Sequence, residues 1–347
     1  MLNNKKVYRN MQAQILALPA QDGRPINTCY WHLDTPKGFV IINHGMGEYA
    51  ARYDQLARTL NDYGYTVIAH DHRSHGPETP TDDIGHYADS SGWDRVLSDV
   101  QTIYSFIRER SQGRPVFMLG HSMGSFITQA FLIGYRPQLS GCILSASNYA
   151  PRPLLHAGRL VARFEAIRQG PRGTSPLINA LTFGAYNRSF APTRTDFDWL
   201  SRNADEVDTY IRDPLCGFSC TNQLWLDLFD GLLSINSVSA LKKLDSGLPF
   251  YVLGGDRDPV GAAGKGLKRL CHKLKTAGIQ DVELALYPGG RHEMFNETNS
   301  KEVQQQLIAW LDGRLQQGAR GDDSAELESR AKPDPAEHPV RPAKDRR

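Results

Sequence analysis

The sequence lacks a hydrophobic run that approaches the roughly 18 apolar residues of a membrane span. Lys5, Lys6 and Arg9 resemble the charged start of a signal peptide, but Gln12 and Gln14 interrupt the apolar region that secretion needs. The sequence therefore predicts a cytoplasmic protein and leaves peripheral contact with the inner membrane face open.

The sequence also has few cysteines and a small net charge. The five cysteines are scattered and odd in number, which argues against a disulfide framework. Cys216 and Cys220 stand four apart without a second pair, so they are a weak zinc signal. A net charge of +2 over 347 residues predicts no nucleic-acid partner. No pattern in the sequence indicates an oligomeric state.

What the sequence does contain is an alternation of apolar runs and helical periodicity. Hydrophobic residues make up 40% and charged residues 22%, an ordinary globular composition. The apolar runs GFVIIN, YTVIAH, PVFMLG and GCILSA are typical of strands buried on both faces, and segments with helical spacing separate them. This order predicts an α/β fold with a mostly parallel central sheet and helices on both faces. Asp22-Gly23, between two extended runs, adds an N-terminal hairpin.

The alternation stops near Asn148 and resumes near Leu248 with LPFYVLGG, a helical stretch, the run DVELALY and a final helix from about Ser300. The intervening residues have little β character but many large apolar side chains, which predicts an inserted helical cap. The C-terminal stretch has no aromatic residue, several prolines and balanced charges, so it is expected to be disordered. The predicted division is core 1–147, cap 148–247, core 248–316 and tail 317–347.

The motif GHSMG follows the run PVFMLG and precedes a helical segment. A serine on a sharp turn between a strand and a helix needs small neighbours, because a Cβ at Gly120 or Gly124 would collide with the adjoining turn. Such a turn exposes the Ser122 hydroxyl at a helix N-terminus, where developing negative charge is favoured. Ser122 is therefore the candidate nucleophile, and a purely structural glycine turn is the alternative.

A serine nucleophile requires a base and an acid that orients the base. The base is expected after the last strand, where the loop PGGRHEMF contains His292. The acid is expected after the preceding strand, where YVLGGDRDPVG offers Asp256 and Asp258.

Five segments in this order, NHGMGEYAARY, DHRSHG, GHSMGS, GGDRDPVG and GGRHE, resemble the α/β-hydrolases of the monoacylglycerol lipase and lysophospholipase type. The resemblance spans about residues 15–315. It implies a serine hydrolase that cleaves carboxylic esters of monoacyl lipids and needs no cofactor. The family spacing favours Asp258 as the acid. By the same match, the backbone N–H groups of Met46 and Met123 form the oxyanion hole, and His44 and Gly45 shape its loop.

His70, His72 and His75 have a spacing that some dinuclear metal hydrolases use, so a zinc metallohydrolase is an alternative. A metal site would need further ligands and an acidic residue at Ser74. The segment DHRSHG instead matches the family pattern, with Ser74 in place of the usual glycine. The three histidines are therefore interpreted as loop residues, and no metal is predicted.

The cap segment from Thr195 to Phe218 resembles bacterial members of the family, in which the acyl group lies between cap and core. Trp199, Trp225 and Phe229 are the cap residues expected to face substrate, although packing on the sheet is the commoner role of such side chains. A serine aminopeptidase of the prolyl aminopeptidase type, with the same core, is another alternative, and it would need acidic cap residues to bind a free amino terminus.

Overall fold

The computed structural model describes residues 13–330, with side chains described for residues 13–316. Within this range eight strands form a single sheet in the order β1-β2-β4-β3-β5-β6-β7-β8. The strands β3 to β8 are mutually parallel, whereas β2 is antiparallel to both of its neighbours. Their bounds are β1 Gln14–Pro19, β2 Pro25–Trp31, β3 Gly38–Asn43, β4 Tyr65–His70, β5 Val116–His121, β6 Gly141–Ser145, β7 Phe250–Gly255 and β8 Val282–Tyr287.

Helices connect the parallel strands and form the cap. Their bounds are α1 Asp54–Asp62, α2 Gly92–Ser111, α3 Met123–Tyr135, α4 Arg152–Gln169, α5 Pro176–Leu181, α6 Phe183–Arg188, α7 Ala204–Arg212, α8 Asn222–Ile235, α9 Val238–Leu241, α10 Lys265–Ala277 and α11 Ser300–Arg330. In the described part of the chain, none of these helices combines the length and apolar character that crossing a membrane requires.

Alternate side chains of the central strands enter two separate cores. Phe39 and Ile41 of β3 pack with α2 and α3 on one face of the sheet. Val40 and Ile42 of the same strand pack with α1 and α11 on the other face. A strand covered on both faces has no solvent side, which explains why its sequence is apolar throughout. The predicted fold class is confirmed.

The predicted strands match the structure closely. The runs GFVIIN and YTVIAH correspond to β3 and β4 residue for residue, and the other runs agree within two residues. The hairpin predicted at Asp22-Gly23 joins β1 to β2. Its turn is closed by a hydrogen bond from the Ala20 N–H to the Arg24 carbonyl oxygen.

Between β6 and β7 the chain forms α4 to α9. Helix α4 packs on α8, and the contact is close because Gly158 faces the Phe229 ring, where a Cβ would approach within 2.5 Å. The six helices lie within residues 148–247, and the assignment of that range as a separate cap stays a prediction. Helix α11 extends to Arg330, although disorder was expected from residue 317, and residues 331–347 of the expected tail lie outside the described residues.

The segment DHRSHG joins the N-terminal hairpin to the core. The buried Arg73 guanidinium donates to both carboxylate oxygens of Asp99 on α2 and of Asp22 in the hairpin turn. Ser74, which stands where the family has glycine, has φ 70°, the left-handed conformation that favours glycine. Arg73 thus links a carboxylate of α2 to a carboxylate of the hairpin turn. The backbone at Ser74 has the conformation that a glycine adopts without strain.

Candidate active site

Ser122 lies on the turn between β5 and α3, with φ 50° and ψ −119°. This left-handed backbone is strained for a residue with a Cβ, and it lifts the side chain out of the sheet at the carboxyl end of the strand. The Ser122 N–H donates to the Ser145 carbonyl oxygen at the end of β6. The strained turn is therefore anchored to the neighbouring strand.

The glycines on either side of Ser122 are required by close backbone contacts. A Cβ at Gly120 would lie 2.4 Å from the Gly124 carbonyl oxygen, and one at Gly124 would lie 2.1 Å from the Asn43 carbonyl oxygen. Both distances are far below van der Waals contact. The predicted steric reason for the glycines of GHSMG is confirmed.

His292 lies between Ser122 and Asp258. Its Nε2 is 2.9 Å from the Ser122 Oγ, and its Nδ1 is 2.9 Å from the Asp258 Oδ1. Asp258 is fully buried and also accepts the Val260 N–H through Oδ1. Asp256, two residues earlier, accepts the Gly289 N–H instead and so closes the histidine loop. The structure thus brings Asp258, rather than Asp256, against the imidazole.

The charges around His292 favour its protonated form. Burial alone would disfavour the imidazolium, but the carboxylates of Asp258, Glu293 and Glu48 outweigh burial and raise the pKa of His292 above its ordinary value. The ring of His121 lies 5.0 Å from that of His292. Burial and the neighbouring His292 lower the pKa of His121 to about 3, so His121 stays neutral near pH 7. A proton taken up at this site therefore resides on His292.

The loop after β3 borders the serine. A Cβ on Gly45 would come within 3.4 Å of the Ser122 Cβ, so this loop lies directly against the nucleophile turn. Met46 follows Gly45, and Met123 begins α3. Among the described residues, the Met46 N–H forms no backbone hydrogen bond in this loop, and the Met123 N–H, at the first position of α3, has no acceptor within its helix. Such amides can stabilise a developing oxyanion.

A cavity of about 950 Å³ opens from Ser122 and His292 into the cap. Trp199, Trp225 and Phe229 are among the residues that line it, and their contact with substrate stays a prediction. Trp199 has a second contact, because its ring packs on the His292 ring at 4.9 Å and its backbone carbonyl accepts the His292 N–H. Trp225 and Phe229 form an aromatic wall further along, with ring centroids 6.0 Å apart. The volume and apolar lining suit a small-molecule ligand.

His70, His72 and His75 lie among other histidine rings and backbone groups. His70 and His72 pack at 4.7 Å, and His72 packs against His44 at 4.2 Å. The His72 N–H donates to the His44 Nε2, and the His75 Nδ1 lies 2.9 Å from the Arg73 carbonyl oxygen. Over the part of the chain with described side chains, no three His, Cys, Asp or Glu residues are grouped to hold a metal ion. The cluster instead supports the loop that contains His44.

Sequence reasoning missed a buried ion-pair network beside the site. Arg52 donates to Glu48 on the loop after β3 and to both carboxylate oxygens of Glu293, the residue that follows His292. Each of the three residues belongs to a segment recognised in the sequence. Arg52 and Glu293 are 241 positions apart, so no pattern of neighbouring residues indicates their contact.

Comparisons with known proteins agree with this geometry. A family model described as "Serine aminopeptidase, S33" matches residues 34–299. The monoglyceride lipase of Homo sapiens is 32% identical over 315 residues, which cover 84% of this chain and 88% of that protein. The monoacylglycerol lipase of Mycolicibacterium smegmatis is 27% identical over 289 residues, which cover 82% of this chain and 92% of that protein.

A solved structure is also similar. A highly thermostable carboxyl esterase from Bacillus coagulans, in complex with glycerol, aligns with a TM-score of 0.80 and 27% identity. The alignment covers 88% of this chain and 100% of the esterase. The similarity thus extends over most of this chain and the whole of the esterase.

Proposed function

We propose that this chain, which belongs to the serine aminopeptidase S33 family of α/β-hydrolases, cleaves the ester bond of monoacylglycerols through an acyl-enzyme on Ser122. Similarity over most of their length to lipases named for monoglycerides supports this substrate. The observation that carries the proposal is the hydrogen-bonded series Ser122, His292, Asp258 at the head of an apolar cavity. Lysophospholipids, which also have a single acyl chain, are the second substrate class.

In the proposed mechanism the Ser122 Oγ attacks the ester carbonyl carbon, and the His292 Nε2 accepts the hydroxyl proton. Asp258 accepts the Nδ1–H bond and stabilises the imidazolium. The Met46 and Met123 N–H groups donate to the oxyanion of the tetrahedral intermediate. The intermediate collapses as His292 protonates the leaving alcohol. A water molecule, deprotonated by His292, then attacks the acyl-enzyme in the same way, which releases the fatty acid and restores Ser122. No cofactor takes part in acylation or deacylation.

The cavity supports a single acyl chain as the bound group. Ile178, Trp225, Leu228 and Phe229 line it with apolar surface. Glycerol is bound by the B. coagulans esterase, and glycerol is the alcohol that monoacylglycerol cleavage would release. We therefore assign Trp225 and Phe229 to the acyl group, and Trp199 to both the cavity wall and the His292 ring.

The charges beside the site disfavour a peptidase. An aminopeptidase needs an acidic side chain free to bind the substrate ammonium. Glu48 and Glu293 are the glutamates that line the cavity, and both pair with the single guanidinium of Arg52. Asp196, an exposed aspartate between α6 and α7, also lines the cavity. The two glutamates beside the nucleophile are therefore already paired, and an ester with an uncharged head group needs no free acid here.

A panel of purified substrates tests the proposal. It contains monoacylglycerols of short, medium and long chain, lysophosphatidylcholine and a prolyl arylamide. We expect kcat/KM to rise about fourfold per added methylene along the apolar wall, since burying one methylene is worth about 0.8 kcal/mol. Turnover of the arylamide above that of every ester would contradict the proposal, and preference for lysophosphatidylcholine would move the assignment to a lysophospholipase.

We also propose that the cap contacts a membrane that contains anionic lipid. Leu160, Phe164 and Ile167 recur at helical spacing on α4 and are 65%, 60% and 79% exposed. Arg163 is exposed on the same helix. An exposed apolar helix face with basic residues is typical of binding at a lipid interface. The cytoplasmic location inferred from the sequence stays a prediction.

Vesicle sedimentation tests the membrane contact. Combining Leu160→Glu, Phe164→Glu and Ile167→Glu should weaken partitioning onto phosphatidylglycerol-containing vesicles about tenfold or more, because three apolar side chains lose their burial in lipid. Activity on a water-soluble ester should not change, since none of the three lines the cavity. Ile15→Glu, at an exposed position on β1, is the matched control. Equal sedimentation of the triple variant and the unchanged protein would reject the contact.

A further inference from the structure

Arg52 bridges two loops that come from opposite ends of the chain. It lies in the short helical turn between β3 and α1. One guanidinium nitrogen donates to the Glu48 Oε2 and the Glu293 Oε1, each at 2.8 Å, and the other donates to the Glu293 Oε2 at 2.8 Å. The three side chains are only 11%, 5% and 8% exposed. A fixed, planar cation thus joins the loop after β3 to the loop after β8.

On one side of this bridge, Glu48 supports the loop that contains Met46. The Glu48 Oε1 accepts the N–H of Gly45, the residue before Met46, and also accepts the Tyr53 hydroxyl proton at 2.9 Å. A Cβ on Gly45 would come within 2.7 Å of this carboxylate oxygen, so the loop lies tightly on it. The position of Glu48 therefore determines the position of the Met46 amide.

On the other side, Glu293 directly follows His292. Its backbone N–H donates to the Leu200 carbonyl oxygen at 2.8 Å, and the Asn296 side chain donates to its Oε2. A shift of the Glu293 carboxylate would therefore move the backbone that carries the imidazole.

Tyr210 of α7, in the cap, contacts both Arg52 and the loop after β3. The Arg52 guanidinium lies over the Tyr210 ring at 4.8 Å. The Tyr210 hydroxyl donates to the Gly47 carbonyl oxygen at 2.9 Å and accepts the Gly217 N–H. Arg52 is therefore enclosed by the two loops and by the cap.

Stability alone does not account for this network. Burying these ionisable groups is costly, since burial raises the pKa of Glu48 despite the nearby Arg52 guanidinium. Apolar side chains of similar volume often stabilise a fold at least as well as buried ion pairs do. The charged groups form paired, directional hydrogen bonds, and these bonds hold the loop after β3 at a defined distance from the loop after β8.

We infer that Arg52 is a positioning residue, which acts through Glu48 and Glu293 to set the distance between the oxyanion loop and the histidine loop. The inference rests on the proposed roles of Ser122, His292 and the Met46 amide. Arg52 does not line the cavity, so its effect falls on the chemical step rather than on substrate binding.

The network also affects the proton affinity of His292. The ionisable groups around the imidazole are Asp258, Glu293, Glu48, His121 and Arg52. Burial acts to raise the pKa of Glu293, but the paired Arg52 guanidinium outweighs it and holds that pKa below its ordinary value. Glu293 is thus a permanent negative charge beside His292 and contributes to the raised pKa of the base.

The test uses Arg52→Gln, Arg52→Lys and Glu293→Gln, with Arg58→Gln as the matched control. Arg58 lies on α1 and pairs with Asp54. The measurements are kcat and KM for a water-soluble ester per active site titrated with a fluorophosphonate, the Ki of an alkyl trifluoromethyl ketone, and the pH dependence of kcat/KM. The ketone forms a tetrahedral adduct on serine and therefore reports the oxyanion hole.

For Arg52→Gln we expect kcat per titrated site to fall about 100-fold, the scale of a displacement of about 1 Å at a reacting group. The Ki of the ketone should rise by a similar factor while KM changes little. Arg52→Lys should restore part of kcat, since it keeps the charge but loses the paired geometry. Glu293→Gln should move the acid limb of kcat/KM to lower pH, because it removes a charge that raises the pKa of His292. Arg58→Gln should behave as the unchanged protein.

Unchanged kcat per titrated site in Arg52→Gln would overturn the inference, even if the melting temperature falls. If Arg52→Gln does not fold, the inference is tested with Arg52→Lys and Glu293→Gln instead. Full kcat and an unmoved acid limb of kcat/KM in both variants would also overturn the inference. Failure of the proposed function would differ from either result, because the unchanged protein itself would then neither cleave the ester nor react with the fluorophosphonate.

Discussion

Ser122→Ala is expected to lower kcat for ester cleavage by about 10⁴- to 10⁶-fold. The substitution removes the atom that would form the acyl-enzyme, and no other hydroxyl is hydrogen-bonded to the His292 Nε2 among the described residues. The fold should not change, since the backbone bond from the Ser122 N–H to the Ser145 carbonyl oxygen remains. Steady-state turnover of a chromogenic ester and thermal unfolding followed by circular dichroism measure the two effects.

A matched control separates this loss from a general effect of serine replacement. Ser105→Ala, at an exposed position on α2, should leave kcat unchanged. Intact-mass analysis after treatment with a fluorophosphonate should show one adduct on the unchanged protein and none on Ser122→Ala. Ester cleavage retained by Ser122→Ala would contradict the assignment of the nucleophile.

The second large effect is expected at Asp258, where Asp258→Asn should lower kcat/KM by about 10⁴-fold near pH 7. An asparagine amide can donate to the His292 Nδ1, which places the ring proton on Nε2, where it can no longer accept the Ser122 proton. The loss has a pH signature as well. The Asp258 carboxylate raises the pKa of His292, so its removal should leave the ring neutral to lower pH and move the acid limb in that direction.

Asp256→Asn is the control for this prediction. Asp256 accepts the Gly289 N–H at 2.7 Å, and an asparagine side-chain oxygen can accept the same bond. We expect kcat/KM to stay within about tenfold of the unchanged protein, the scale of one weakened hydrogen bond. A larger loss in Asp256→Asn than in Asp258→Asn would assign the acid to the other position.

Local patterns were sufficient for most of the core. The runs that became β3 and β4 were apolar without interruption because both of their faces are covered, and this property is visible in a single strand. The motif GHSMG was sufficient to predict the serine turn. The strained serine requires glycines at positions two residues away, and such a short-range pattern is visible in the sequence. The order of segments along the chain then indicated which loops meet at the carboxyl edge of the sheet.

Other features of the site depended on the tertiary structure. The family spacing favoured Asp258 over Asp256, and the path of the chain after β7 directs Asp258 to His292 and Asp256 to Gly289. Trp199 was predicted as a cavity residue, but its packing on the His292 ring depends on how the cap lies on the core.

The sequence by itself therefore determined the strands of the sheet, the serine turn and the family of the chain, because each depends on side-chain period, on backbone strain or on ordered short motifs. The family spacing favoured Asp258, but only the tertiary structure showed its contact with His292, the packing of Trp199 on the His292 ring and the bridge from Arg52 to Glu48 and Glu293. Such contacts form between residues that the chain separates widely, and their geometry is determined by how complete layers pack together rather than by the residues next to them in sequence.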